Sequence, residues 1–112
     1  MPLYITSLNS GSNGNCYFIG NGREAVLIDA GISCRETERR MIRLGLSIRN
    51  IKAIFISHEH TDHTRGAEVL SGKHGIPVYI TGATYRNSRL KMDPQVVRPL
   101  SQVRLFISGA LA

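Results

Sequence analysis

The chain has no tryptophan, only two cysteines, and an aromatic content of 6%. Cys16 and Cys34 form no C-x-x-C pair, and two thiols make no disulfide framework. A stapled secreted scaffold is therefore excluded, and a reducing, cytoplasmic setting is expected. No apolar run approaches the ~18 residues of a membrane span, and Met1-Pro2-Leu3-Tyr4 lacks the basic start of a signal peptide. No membrane partner is expected. There is no internal repeat, linker or low-complexity tract, and 112 residues allow one domain with a modest core. Acidic residues are also scarce, 8 against 14 basic ones, for a formal charge of +6. Eleven of those basic residues are arginines, whose planar fork suits phosphate. Such a balance favours polyanions through counterion release, so nucleic acid is the expected partner. The competing reading is a surface that is basic for no functional reason.

Against these absences stands one concentration of chemistry. Three of the four histidines fall within His58-Glu59-His60-Thr61-Asp62-His63. The segment follows Ala53-Ile54-Phe55-Ile56-Ser57, a short, continuous, isoleucine-rich run that reads as a buried strand. A rigid strand ending in nitrogen and oxygen donors is what a metal site requires. In extended backbone, residues two apart point the same way. His58 and His60 can therefore offer their imidazoles to one ion. If the chain then turns into a helix, Asp62 and His63 swing aside and can serve a second. Imidazole and carboxylate suit zinc, iron or manganese, and no nearby cysteine suggests a closed thiolate site. The motif H-E-x-x-H is excluded, because position 62 is Asp62 and not histidine. A polar loop that happens to be histidine-rich is the bland alternative.

Around this cluster the pattern is strands first, then strands alternating with helices. Leu3 to Leu8 reads as a first strand and Cys16 to Ile19 as a second, joined by Asn9 to Asn15, which is all turn chemistry. That loop is either a plain hairpin connection or a run of amides approaching an anionic substrate. After Asn21-Gly22, Ala25 to Ile28 forms a third strand ending at Asp29. This acid is either a helix cap or a partner that orients a metal-bound histidine. Ser33 and Glu36 form a capping box for a helix that ends at Gly45 and presents Thr37, Met41 and Leu44 on one face. Thr64 to His74 reads as a second helix closed by Gly75, with apolar contacts from Ala67, Val69 and Leu70. His74 is expected to be a terminal cation and not a ligand. Pro77 to Ile80 is a further strand, Thr81 caps a short helix running to about Leu90, and Val96-Val97 and Val103 to Ile107 are candidate strands. The expected fold is α/β, a layered mixed sheet with helices on one face.

These residues resemble the amino-terminal part of the metallo-β-lactamase superfamily. Its H-x-H-x-D-H signature stands here as His58, His60, Asp62 and His63, and its strand-terminal aspartate motif as Leu27-Ile28-Asp29-Ala30-Gly31. Ser10-Gly11-Ser12-Asn13-Gly14-Asn15-Cys16 looks like the stand-alone bacterial YycJ/WalJ branch. The resemblance implies an αββα sandwich with a site for one or two divalent ions, zinc first and manganese or iron next. By matching position, His58 and His60 would hold the first ion and Asp62 and His63 the second. Asp62 would also be catalytic, and Asp29 would orient a ligand from behind. The implied reaction is metal-dependent hydrolysis of phosphodiesters, as in a nuclease. Thioester or lactone hydrolysis, or a non-catalytic association module, are the alternatives.

The family also takes later ligands, yet no histidine follows His74, and Asp93 is too close to the motif to bridge two ions. Residues 1–112 therefore read as the amino-terminal half of such a domain. In this form weak metal binding, little hydrolysis and self-association through an uncovered apolar sheet face are expected.

Overall fold

The structure is a computed structural model that describes residues 2–100. Apolar runs separated by Asn/Gly turns make the first three strands, β1 (Tyr4–Asn9), β2 (Cys16–Gly20) and β3 (Ala25–Ile28). They pair antiparallel in chain order, with a register shift between Ser7 and Asn9 where the long loop begins. From β3 onward every connection is a parallel crossover. α1 (Cys34–Arg43) leads to β4 (Ile51–Phe55), the helical pair α2 (Thr61–Thr64) and α3 (Ala67–His74) leads to β5 (Val78–Ile80), and α4 (Gly82–Asn87) leads to β6 (Val97–Pro99). The result is one mixed six-stranded sheet in the order β1-β2-β3-β4-β5-β6. Strands added always in one direction, by crossovers of one preferred hand, place every connecting helix on the same side. The expected α/β layering is therefore what the chain forms.

The main core lies between sheet and helices. Phe18, Leu27, Ile54 and Val78 from the strands meet Met41 of α1 and Leu70 of α3. The opposite face carries a second, smaller cluster built on Val26, Ala53 and Tyr79. Strand register lines up Ile5, Ile19, Val26 and Ala53 in one row, and Tyr17, Ile28, Phe55 and Tyr79 in the next. None of α1 to α4 contributes to this second cluster, and Ile5 at its edge is 70% exposed.

Local differences from the sequence reading have physical causes. β4 begins at Ile51, two residues early, because Ile51 pairs with Ala25 while Lys52 between the buried positions turns outward. Ser33 caps α1 as expected, its hydroxyl accepting from the Glu36 N–H at 3.1 Å, and Glu36 pairs with Arg40. Leu44, however, terminates the helix and is exposed, so only Thr37 and Met41 of the expected face are buried. The expected helix from Thr64 is two pieces, α2 (Thr61–Thr64) and α3 (Ala67–His74). Gly66 makes the break, its N–H donating to the Ala30 carbonyl at 2.8 Å and not up the helix. Val69 faces solvent while Ala67 and Leu70 are buried. Gly75 closes α3 in the left-handed conformation. Thr81 caps α4, which ends at Asn87, short of Leu90. The candidate strand Val103 to Ile107 lies outside the described residues.

Candidate metal centre

In parallel sheets, functional loops gather at the carboxyl ends of strands. Here β3 ends into Asp29 and β4 into Ser57 and His58, side by side. Asp29 has a left-handed backbone (φ 65°), a conformation that aspartate tolerates better than most residues. Its N–H donates to the Phe55 carbonyl, and its side chain is 5% exposed.

The buried carboxylate organises what lies above it. Its Oδ1 accepts the Ser57 N–H at 2.7 Å, and Oδ2 accepts the Ser57 hydroxyl at 2.6 Å. His63 Nδ1 also lies 2.6 Å from Oδ2, and an ionised carboxylate can only accept, so Nδ1 of His63 carries the proton. Ser57 Oγ, its one proton committed to Asp29, sits 2.8 Å from His58 Nδ1, and that nitrogen must donate in turn. Both imidazoles thus hold their protons on Nδ1, leaving the Nε2 lone pairs of His58 and His63 free. Carboxylate-backed imidazole in this tautomer is what a divalent metal ion needs from histidine. The two rings stand 4.5 Å apart, and donor atoms of Asp29, His58 and His63 lie within 4.8 Å of one another.

The other two signature residues flank this group. His60 precedes the first turn of α2, its carbonyl accepting the His63 N–H. Its exposed side chain lines a cleft of about 460 Å³ with Asn87 and Arg89. Asp62 Oδ2 lies 3.6 Å from His63 Nε2. The Asn9–Asn15 loop settles beneath it. Asn15 donates from its backbone to the Asp62 carbonyl at 2.6 Å, and its side-chain amide reaches Asp62 Oδ2 at 3.3 Å. This packing requires glycine, because a Cβ on Gly31 would collide with the Asp62 carbonyl oxygen. Cys16, at the loop's end, is fully buried, and burial pushes its thiol up to about 12, with the Asp29 charge adding to the effect. It is inert at neutral pH.

Two residues of this arrangement escaped the sequence reading. Ser57 was assigned only to the strand, although a hydroxyl at a strand end beside a candidate ligand histidine is a signal for a relay. Asn15 was read as turn chemistry or as a substrate contact, and it braces the acidic ligand candidate instead. Its partner is 47 positions away, and only the folded chain reveals it.

Residues 9–105 match the family model of the metallo-beta-lactamase superfamily. The chain is 38% identical over 85 residues to the exodeoxyribonuclease YycJ of Bacillus anthracis, which covers 76% of this chain and 32% of that protein. It is 33% identical over 79 residues to the exodeoxyribonuclease WalJ of Streptococcus pneumoniae serotype 2 (strain D39), covering 70% and 29% respectively. The chain thus spans about a third of the length of these curated relatives. A subclass B3 metallo-beta-lactamase from a soil metagenome library, MEM-A1, superposes with a TM-score of 0.65 at 22% identity, over 87% of this chain and 42% of that one, and shows the shared fold. The histidine-bearing strand end, the carboxylate beneath it and the matched span together place this chain in the metallo-β-lactamase superfamily.

Proposed function

We propose that residues 1–112 are the amino-terminal half of the metallo-β-lactamase-like domain of a metal-dependent phosphodiester hydrolase acting on nucleic acid. In this reading His58 and His60 bind one divalent ion and Asp62 and His63 a second, with zinc expected ahead of manganese or iron. Asp29, saturated by three donors and shielded from solvent, orients His63 directly and His58 through Ser57. Asn15 holds Asp62, the acid assigned to catalysis, against rotation. When bound, the ions supply a water made nucleophilic near neutral pH and neutralise charge developing on the scissile phosphate. The chain's own task is to keep two Nε2 lone pairs and one carboxylate aimed before any ion arrives, so that little reorganisation is needed.

The observation that carries this reading is the Asp29–Ser57 relay that fixes both histidine tautomers. Two others favour nucleic acid over a small ester. The formal charge is +6, and the curated relatives matched above are named exodeoxyribonucleases. The two free, buried cysteines accord with a cytoplasmic setting, and no described helix is long and apolar enough to cross a membrane.

The test uses the complete gene product that carries this chain, loaded with zinc or manganese, on labelled DNA and RNA beside thioester and lactone panels. Cleavage of nucleic acid that weakens with salt and disappears in His58→Ala is expected. Thioester or lactone turnover without nucleic-acid cleavage would refute it. The 112-residue chain alone is expected to lose its metal on dialysis and to show no turnover; tightly held ions with turnover would overturn the claim that the site is incomplete.

A further inference from the structure

A second cluster of ligand-type side chains lies between α1 and α3 and shares no residue with the His58–His63 centre. Cys34 opens α1, and Glu38 follows one turn later on the same side of the helix. His74, the last residue of α3, reaches across to them. Donor atoms of the three lie within 4.8 Å of one another. His74 Nε2 is 2.7 Å and Lys73 Nζ 2.8 Å from the same Glu38 oxygen, Oε2. Burial first, and then the Glu38 charge beside it, push the Cys34 thiol above its ordinary pKa.

We infer that Cys34, Glu38 and His74 form a binding site for one soft divalent cation of the zinc and cobalt class. Sulfur, imidazole nitrogen and one carboxylate oxygen make a donor set that such ions prefer and that magnesium and calcium do not. A clasp between two helices needs only Glu38 and a cation; it has no use for a thiol. Yet Cys34 is 6% exposed, and its sulfur lies within 4.8 Å of both the Glu38 and the His74 donor atoms. His74 and Glu38 are each about a fifth exposed, which leaves an open side for the ion and a fourth, solvent ligand.

The scaffold around the cluster is rigid. At the start of α3, Gly66 packs so closely on the start of α1 that a Cβ there would collide with the Ile32 carbonyl, and its N–H is tied to Ala30. On binding, the ion replaces the thiol proton and the His74 Nε2 proton that faces Glu38, both of which leave to solvent, and displaces the Lys73 ammonium from Glu38. Lys73 is 57% exposed on a flexible stem and can swing away. This inference stands independently of the hydrolase reading.

The test is a cobalt(II) titration of the 112-residue chain carrying His58→Ala and His60→Ala, which silences the other centre. A near-ultraviolet sulfur-to-cobalt charge-transfer band saturating at one equivalent is expected. Cys34→Ser is expected to abolish it and Cys16→Ser to leave it. Lys73→Met is expected to tighten cobalt binding severalfold, since the competing ammonium is gone; a mere ion-pair clasp predicts no gain. Because Cys34→Ser could fail for want of folding, X-ray absorption on the zinc-loaded parent provides a second reading. A sulfur neighbour at about 2.3 Å is expected. No band in the parent, a band surviving Cys34→Ser, no tightening with Lys73→Met, or a zinc shell of nitrogen and oxygen alone would each overturn the site.

Discussion

Replacing Asp29 by asparagine tests the tautomer relay with little change of shape. Asparagine tolerates the left-handed backbone at this position, and its amide oxygen can still accept the Ser57 N–H in place of Oδ1. What it cannot do is accept at the other position, where an NH₂ would face both Ser57 Oγ and His63 Nδ1. The hydroxyl can reverse and accept. The imidazole must then give up its Nδ1 proton, which moves to Nε2 and occupies the lone pair meant for metal. Neutral hydrogen bonds replace charge-assisted ones, a loss of about 1–2 kcal/mol. A domain of this size holds roughly 5–15 kcal/mol, so the variant should fold. Asp29→Ala, which strands the Ser57 N–H, the Ser57 hydroxyl and His63 Nδ1 at a site water can partly reach, is expected to cost roughly 1.5–3 kcal/mol or a little more. The metal effect of Asp29→Asn is expected at about 10- to 100-fold in affinity, the range for losing such a supporting partner. Urea melts measure the stability change, and competition against a chromophoric chelator measures the metal. A folded Asp29→Asn chain that binds zinc as tightly as the parent would refute the relay.

Asn15→Ala removes the amide that bridges Asp62 and the Gly11 carbonyl. It should lower metal affinity while shifting the urea midpoint only modestly; unchanged affinity by the same competition assay would show that Asp62 needs no brace. Hydrogen bonds from Lys73 and His74 hold the Glu38 carboxyl below its ordinary range. Its folded pKa lies below the unfolded one, so its stabilisation is complete above the ordinary carboxylate range and is lost as pH falls through the depressed value. Acid titration of the melting midpoint should therefore be shallower in Glu38→Gln below about pH 4.5, a bound taken from the ordinary carboxylate value, and identical slopes would count against it. The apolar edge at Ile5, 70% exposed, should make the 112-residue chain associate, with sedimentation shifting as concentration rises and Ile5→Lys reducing the shift; a monomer at high concentration would sink this expectation.

The chain's order of elements was legible because periodicity and punctuation are local. Apolar runs of four to six residues, Asn-Gly turns, the Ser33 cap and the Gly75 stop each act within a few positions, and the strands and helices formed where they point. The break at Gly66 was not legible. A glycine inside a helical pattern is ambiguous until the Ala30 carbonyl, 36 positions earlier, competes for its N–H. Leu44 and Val69 were misread for a related reason, since helical period gives a face but the ends of the helix decide which residues remain on it.

At the centre, sequence alone determined which donor groups stand at the strand end, because imidazole and carboxylate at H-x-H-x-D-H spacing carry their donors wherever the chain goes. The tertiary structure decided how those donors are held. Pairing β3 beside β4 set Asp29 under Ser57 and His63, and that contact across 34 positions fixes the protons on Nδ1. It also brought Cys34 and Glu38 to His74, which sequence had left as a terminal cation. Hydrogen bonds between distant residues depend on strand register and helix packing, and no local pattern encodes either.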